Sequence, residues 1–446
     1  MNIPTKAHEI DDLMQQMYPL KHANNRQHPF DVKRIRHDFP ILSSHVLGNP
    51  LVWLDNGSTT QKPKNTIESI SNYYQHENSN VHRGNHTLAK RATAKFDYVR
   101  QQVADFIHAR SANEIVFVRG ATEAINLVAA SFGKKYIQAG DEVIVTILEH
   151  HSNILPWQVL CQEKGAVLRV APIDHNGEII LDEYEALFNQ KTKIVAFTHI
   201  SNLLGTLMPV KEMTAIAHRH GAAVLIDGAQ AVAHVSVNVQ ELDCDFYVFS
   251  GHKMFGPTGI GVLYGKLDWL NDLPPWQVGG GMIKHVSFTR TEYADVPGKF
   301  EAGTVHLAGV IGLGATLDYL KQIDVTCAFD YEKSLMIYAL NALQTVPGLE
   351  LLGHPKERVG AIPFKLAGID DDQLGKHLDD LGIAMRIGHH CAQPALAFFG
   401  YKTVARPAIA FYNTRHEIDE LINGLHFNKR KNQYDKRLHG KYSRII

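Results

Sequence analysis

Lys253 stands in the run Ser250-Gly251-His252-Lys253-Met254-Phe255-Gly256-Pro257, between the apolar stretch Phe246–Ser250 and a glycine-rich turn. A lysine kept for structure ordinarily sits on a solvated face. One that leaves the end of a buried strand has a desolvated amine with a lowered pKa, suited to forming a Schiff base. Asp227 follows the apolar run Ala222–Ile226 and opens Asp227-Gly228-Ala229-Gln230. A carboxylate at the carboxyl end of a parallel strand lies where α/β sheets hold their ligands, although the same residue also serves as a helix cap. Phe117-Val118-Arg119-Gly120-Ala121-Thr122-Glu123 reads as strand, glycine turn and helix start. Such a start is either an ordinary N-cap or a cradle for phosphate, with Thr122 adding a hydroxyl.

Two further runs complete the set. Glu149-His150-His151-Ser152-Asn153 lies just beyond the apolar run Glu142–Thr146. A histidine there is placed to stack on an aromatic cofactor and shuttle protons. The chain has 26 histidines, so a core histidine is the ordinary alternative. Arg386-Ile387-Gly388-His389-His390-Cys391-Ala392-Gln393-Pro394 sets a cysteine in a Gly/His/Pro loop, where access and nearby imidazoles favour the reactive thiolate. Three adjacent residues do not match zinc-ligand spacing, so no metal is expected. Cys161, Cys244 and Cys327 read as buried thiols.

The elements that must position these residues are legible from about Leu51 onward. Strand-like runs at Glu114–Val118, Glu142–Thr146, Val167–Ala171, Lys193–His199, Ala222–Ile226, Phe246–Ser250 and Gly259–Tyr264 alternate with helical patterns such as Glu123–Ser131 and Lys211–His220. Near-continuous apolar strands between helices specify an α/β fold with a mostly parallel sheet covered on both faces. After the helical stretch Ile311–Ile323 the texture changes. Ala361–Leu366 and Ile383–Arg386 read as strands and Asp372–Leu381 as a helix, giving a smaller α+β domain. The division expected is a polar extension over residues 1–29, a small domain from 30–48 with 325–428, a large domain over 49–324, and a basic tail over 429–446. That tail carries seven Lys/Arg against one acidic residue.

The chain has 446 residues, 45% of them apolar, and a net charge of −1. It is long enough for a large core, and no basic excess points to nucleic acid or an anionic membrane. No apolar run of transmembrane length appears, and the first thirty residues lack the apolar core of a signal peptide. Four scattered cysteines show no disulfide framework, which fits a cytoplasmic protein.

Together and in this order, these motifs resemble one family closely: the group II, SufS-type cysteine desulfurases, within the fold-type I, class V aminotransferase group of pyridoxal-phosphate enzymes. The resemblance runs from about Phe30 to about Leu425. It also takes in the segments Leu54–Pro63, Val81–Leu88, Thr198–Thr206 and Asp243–Tyr247, as well as Arg406 and Tyr412-Asn413-Thr414. It implies that Lys253 carries pyridoxal 5′-phosphate, Asp227 pairs with the pyridine nitrogen and Gln230 bonds the ring hydroxyl. His150 would stack on the ring and move a proton. Ala121, Thr122, Ser250 and His252 would hold the phosphate, with Thr304 reaching the phosphate of a neighbour in a homodimer. Arg406 would clamp the substrate carboxylate, helped by Asn202 and Arg386.

The activity implied is conversion of L-cysteine to L-alanine. Lys253 removes the α-proton, and Cys391 takes the sulfur as a persulfide. A SufE- or SufU-like acceptor then receives the sulfur for iron–sulfur cluster assembly. A selenocysteine lyase, or a weakly active scaffold paralogue, would share most of these residues. The sequence departs from the family pattern at a few places. Gly57 and Ser58 stand where two alanines are usual, Ala121 replaces a threonine, and Val305 follows Thr304 where proline is usual. Ile387 replaces a small residue, and Pro407 follows Arg406 in place of alanine.

Overall fold

Residues 30–82 and 84–426 are described by a computed structural model. The N-terminal extension, Arg83 and the basic tail lie outside the described residues. Seven strands form the principal sheet, in the spatial order Ile115–Val118, Gly261–Gly265, Phe246–Ser250, Ala223–Asp227, Thr192–Thr198, Glu142–Thr146 and Val167–Ala171. Six of them run in the same direction; Gly261–Gly265 runs antiparallel to both of its neighbours. The mostly parallel sheet expected from the sequence is therefore present, and the observed strands start and stop within about two residues of the apolar runs.

Burial explains the composition of the strands. Ala223–Asp227, Phe246–Ser250 and Glu142–Thr146 are buried along their whole length, so they carry no polar alternation. Val167–Ala171 differs, because as an edge strand it leaves most of its residues exposed. Helices Ala121–Tyr136 and Leu155–Lys164 pack Ile125, Val128, Phe132 and Trp157 against Val116, Val145 and Leu225 of the sheet. The second of these helices stops at Gly165, whose φ of 67° supplies the left-handed turn that ends it.

A second sheet of four antiparallel strands follows, in the order Leu349–Leu351, Phe364–Leu366, Val404–Arg406 and Arg386–Gly388. Its own apolar cluster joins Leu335 and Ala339 of helix Val325–Gln344 to Phe364, Ala405, Leu378 and Leu421. The single strand expected over Ile383–Arg386 is in fact two. Ile383–Ala384 pairs parallel with Val52–Trp53, and Arg386–Gly388 crosses to pair with Val404–Arg406. The switch sets Arg386 directly opposite Arg406. Both sheets belong to one compact unit that begins at Val32.

Candidate active site

Parallel strands open toward one end of the sheet, and the candidate residues gather there. They line a cavity of 590 Å³ that takes in Lys253, Asp227, Gln230, His150, Ala121, Thr122, Ser250, His252, Asn202, Arg386, Arg406 and Cys391. Thr304 is not among them. It borders a separate cavity with Phe117, Trp276 and Glu301, so one chain alone does not bring it to the others.

Lys253 ends a short 3₁₀ turn, Gly251–Lys253, that leaves strand Phe246–Ser250. The peptide before it is held firmly: the His252 carbonyl accepts from Thr60 N–H at 3.1 Å, Thr59 Oγ1 at 3.0 Å and Lys62 Nζ at 3.0 Å. Burial lowers the Lys253 amine to about 8; Asp227 opposes the shift and Arg406 adds to it. Asp227 closes its strand at 4% exposure and accepts from the Ala229 N–H at 3.0 Å. Burial pushes its carboxyl upward, against the pull of that hydrogen bond and of Lys253. Gln230 donates from Nε2 to the Gly57 carbonyl at 2.8 Å.

Helix Ala121–Tyr136 begins beside this pair, and its first N–H, on Ala121, donates to Ser250 Oγ at 2.8 Å. Thr122 stays exposed at the cavity rim. Burial drives His252 down to about 4, so it is neutral at pH 7. His150 is neutral too: burial and the nearby Lys253 charge lower it to about 3. Its Nδ1 accepts from the Ser152 N–H at 3.1 Å, which leaves the ring proton on Nε2.

The thiol loop is pinned at many points. His390 and Cys391 both adopt left-handed backbone, with φ of 51° and 52°. Non-glycine residues hold that conformation at a cost, which the surroundings must offset. Asn202 Nδ2 donates to the His390 carbonyl at 2.7 Å, His390 Nε2 donates to the Val404 carbonyl at 2.9 Å, and the His151 N–H donates to the Cys391 carbonyl at 2.8 Å. His151 stacks on His389 with ring centroids 5.7 Å apart. The sequence suggested nearby imidazoles as the thiolate's support, and His389 Nδ1 accepts from the Cys391 N–H at 3.0 Å. Burial holds His150 and His390 near 3, and it lowers His151. The cations that interact with Cys391 are Lys253 and Arg406. Cys161 and Cys244 are buried as expected, but Cys327 is only half-buried, at a helix start beside Asp324.

Arg406 is 2% exposed, and burial lowers its pKa to about 10. Its Nη1 donates to the Asn202 carbonyl oxygen at 2.6 Å. Asn202 thus joins the arginine, through its main chain, to the thiol loop, through its side chain. Asn202 Oδ1, His390 Nδ1 and Arg406 Nε are buried here without partners.

Other residues were given no role by the sequence. Glu149, wholly buried, accepts from Thr146 Oγ1 at 2.6 Å, Asn153 Nδ2 at 2.6 Å and the Thr198 N–H at 3.0 Å. It locks the His150 turn to two strands, while burial raises its carboxyl to about 8. Asp55 and Ser58 lie beside Arg406. An acid at the end of an apolar strand was the available signal for Glu149. Asp55 lay within the Leu54–Pro63 segment, with no role assigned to it.

The model of the class-V aminotransferase family matches residues 52–421. The chain belongs to that family. It is 52% identical over 396 residues to a cysteine desulfurase of Synechococcus elongatus, covering 89% of this chain and 63% of the relative. A cysteine desulfurase of Salmonella agona is 51% identical over 397 residues, covering 89% of this chain and 98% of the relative. The chain spans about three-fifths of the length of several relatives, among them a probable cysteine desulfurase of Mycolicibacterium paratuberculosis, of which it covers 59%. Two solved structures are similar throughout. The cysteine desulfurase CsdA of Escherichia coli superposes with a TM-score of 0.83 at 37% identity, over 89% of this chain and 98% of that one. A cysteine desulfurase of Thermococcus onnurineus gives 0.84 at 34%, over 90% and 98%.

The family's cofactor is pyridoxal 5′-phosphate, and the residues present fit it. A buried amine, a buried carboxylate and a helix start with hydroxyls on either side face one cavity. Lys253 would hold the aldehyde carbon, Asp227 the ring nitrogen, and Ala121, Thr122, Ser250 and His252 the phosphate.

Proposed function

We propose that this chain is a cysteine desulfurase that converts L-cysteine to L-alanine and keeps the sulfur as a persulfide on Cys391. One observation carries the reading: Cys391 shares a cavity with Lys253, Asp227 and Arg406. When bound, pyridoxal phosphate supplies an electron sink for the pair left at the substrate α-carbon. Arg406 binds the substrate carboxylate and so fixes the α-carbon relative to Lys253. The Lys253 amine, lowered to about 8, takes the α-proton near neutral pH. His150 Nε2–H is a donor facing the same space. The Cys391 thiolate attacks the substrate sulfur; the S–S bond forms as the C–S bond breaks, and the carbon fragment keeps the electron pair. Protonation of that fragment, which keeps its amino group, gives alanine.

The short Arg386–Cys391 loop supports the group II assignment, in which a thiol acceptor of the SufE or SufU kind takes the sulfur onward. Pinning of the loop agrees with slow turnover when no acceptor is present. Thr304, facing its own cavity, suits a homodimer in which it serves the neighbour's phosphate site. Among the described residues no cysteine is in a disulfide, which agrees with a reducing, cytoplasmic setting. Among the described residues, no helix is long and apolar enough to cross a membrane.

The test is alanine formation from L-cysteine, with and without a thiol acceptor, for the unaltered protein, Lys253→Ala and Cys391→Ser, with the persulfide located by mass. Alanine from the unaltered protein alone, with one added sulfur on Cys391, is the expected result. No alanine from the cofactor-loaded protein with a competent acceptor would overturn the reading. Turnover of L-selenocysteine in that case would point to a selenocysteine lyase.

A further inference from the structure

Arg386 and Arg406 stand directly opposite each other on neighbouring antiparallel strands, so their like charges share one face. A single carboxylate separates them. Asp55 accepts from Arg386 Nη2 at 3.1 Å, and its Oδ1 lies 3.8 Å from Arg406 Nη2. Ser58 joins the two sides. Its Oγ donates to Asp55 Oδ1 at 2.6 Å and accepts from Arg406 Nη2 at 3.2 Å. The hydroxyl has one proton, and the carboxylate takes it, so a lone pair is left for the guanidinium.

Arg406 has few other restraints. Among the described residues its side chain makes one other hydrogen bond, from Nη1 to the Asn202 carbonyl, and Nε has no partner. Ser58 therefore makes one of the two hydrogen bonds that fix the guanidinium plane. Gly57 makes that position possible. A Cβ at residue 57 would lie 2.9 Å from Nη2 and 3.1 Å from Cζ of Arg406. The guanidinium is the end of a flexible side chain, so it would move aside while the fold stayed intact. Alanines at 57 and 58 would put a methyl group against the guanidinium, a packing contact in place of a hydrogen bond.

We propose that Ser58, oriented by Asp55 and given clearance by Gly57, is a positioning residue that holds Arg406 ready for the substrate's carboxylate. The inference rests on the carboxylate role assigned to Arg406 above. It makes the two neighbours interdependent. Ser58→Ala frees the guanidinium, Gly57→Ala pushes it off the hydroxyl, and the double substitution gives back a packing contact in place of the lost bond. The two effects are then less than additive.

The experiment uses the cofactor-loaded full chain. It measures kcat and KM for L-cysteine and the competitive inhibition constant of propionate, which offers a carboxylate and no amine. Ser58→Ala and Gly57→Ala should each raise KM and the propionate constant together by about five- to tenfold, with kcat within about twofold, as expected for one hydrogen bond lost from ground-state binding. The double variant should fall short of the product of the two. Cofactor absorbance and the melting curve should match the unaltered protein, which separates positioning from misfolding. Arg406→Lys tests the underlying reading. If it leaves propionate binding unchanged, the carboxylate role of Arg406 fails, and the inference with it. If it weakens propionate binding but Ser58→Ala does not, the positioning role alone is overturned.

Discussion

Lys253 is the residue whose chemistry depends most on its surroundings. An exposed lysine titrates near 10.5; here burial brings the amine to about 8. Only the unprotonated amine attacks an aldehyde. Cofactor uptake by the cofactor-free protein should therefore accelerate from pH 7 to 9, with a midpoint near 8, and stay flat above it. Stopped-flow absorbance on adding pyridoxal phosphate measures this, and a rate still climbing toward pH 10 would contradict it. The same lowering has a consequence for stability. Between about 8 and 10.5 the unfolded chain binds the proton that the folded chain has lost. The Lys253 term therefore stabilises the cofactor-free protein as pH rises through that window, and opposes folding below it. Lys253 and Asp227 were legible because each ends an apolar strand, where a charged side chain has no ordinary place. Ser58 and Asp55 were not, because their partners are more than 300 residues away in sequence.

Two short segments, the His150–Asn153 turn and the Arg386–Pro394 loop, set the reach of the thiol. They meet through main-chain groups: the His151 N–H on the Cys391 carbonyl, and the Gln393 N–H on His151 Nε2 at 3.3 Å. Asn202 adds the side-chain tie to the His390 carbonyl. Asn202→Ala should leave cofactor content unchanged and slow persulfide formation on Cys391 by roughly tenfold, since a small misplacement of a reacting group has that scale of effect. Mass spectrometry on quenched single-turnover samples reads this directly, and an unchanged rate would show that the loop holds its shape without Asn202. At this scale the sequence was a partial guide. It located the loop from its Gly/His/Pro composition, but ran Ile383–Arg386 together as one strand. Apolar pattern does not record that two consecutive short strands pair with different partners. Nor does the composition record the burial that lowers His150, His151 and His390, which depends on the fold around them.

For the whole molecule, the seven strands and their mostly parallel sheet followed from the apolar runs and the helical patterns between them, whereas their spatial order came only with the structure. Thr304, expected at a neighbour's phosphate, borders a second cavity of this chain. If Thr304 serves a neighbour's site, two defective chains should repair each other. Lys253→Ala mixed with Thr304→Glu, under conditions that allow subunit exchange, should regain up to about a quarter of the unaltered activity, with half of the molecules mixed and one intact site in each. Activity that never exceeds that of the separate variants would place Thr304 outside the site. Stability at this scale draws on Arg100 and Glu301, a buried bidentate pair at 2.7 and 2.9 Å. Glu301→Ala leaves Arg100 buried without its partner and should cost about 3–5 kcal/mol, seen as a lower denaturant midpoint.

That pair also lies along the outer side of Ile115–Val118, the last strand of the sheet. Arg100 donates to the Ile115 carbonyl, and Glu301 accepts from the Phe117 N–H. Two side chains thus take the hydrogen bonds that another strand would otherwise make, and the border is closed to recruitment of a foreign chain. The opposite border, Val167–Ala171, leaves most of its residues exposed and carries Arg169, paired with Glu142 of the neighbouring strand. Loss of Glu301 would then expose a template for self-association during refolding, so that concentration-dependent turbidity, rather than lost catalysis, is its first visible effect.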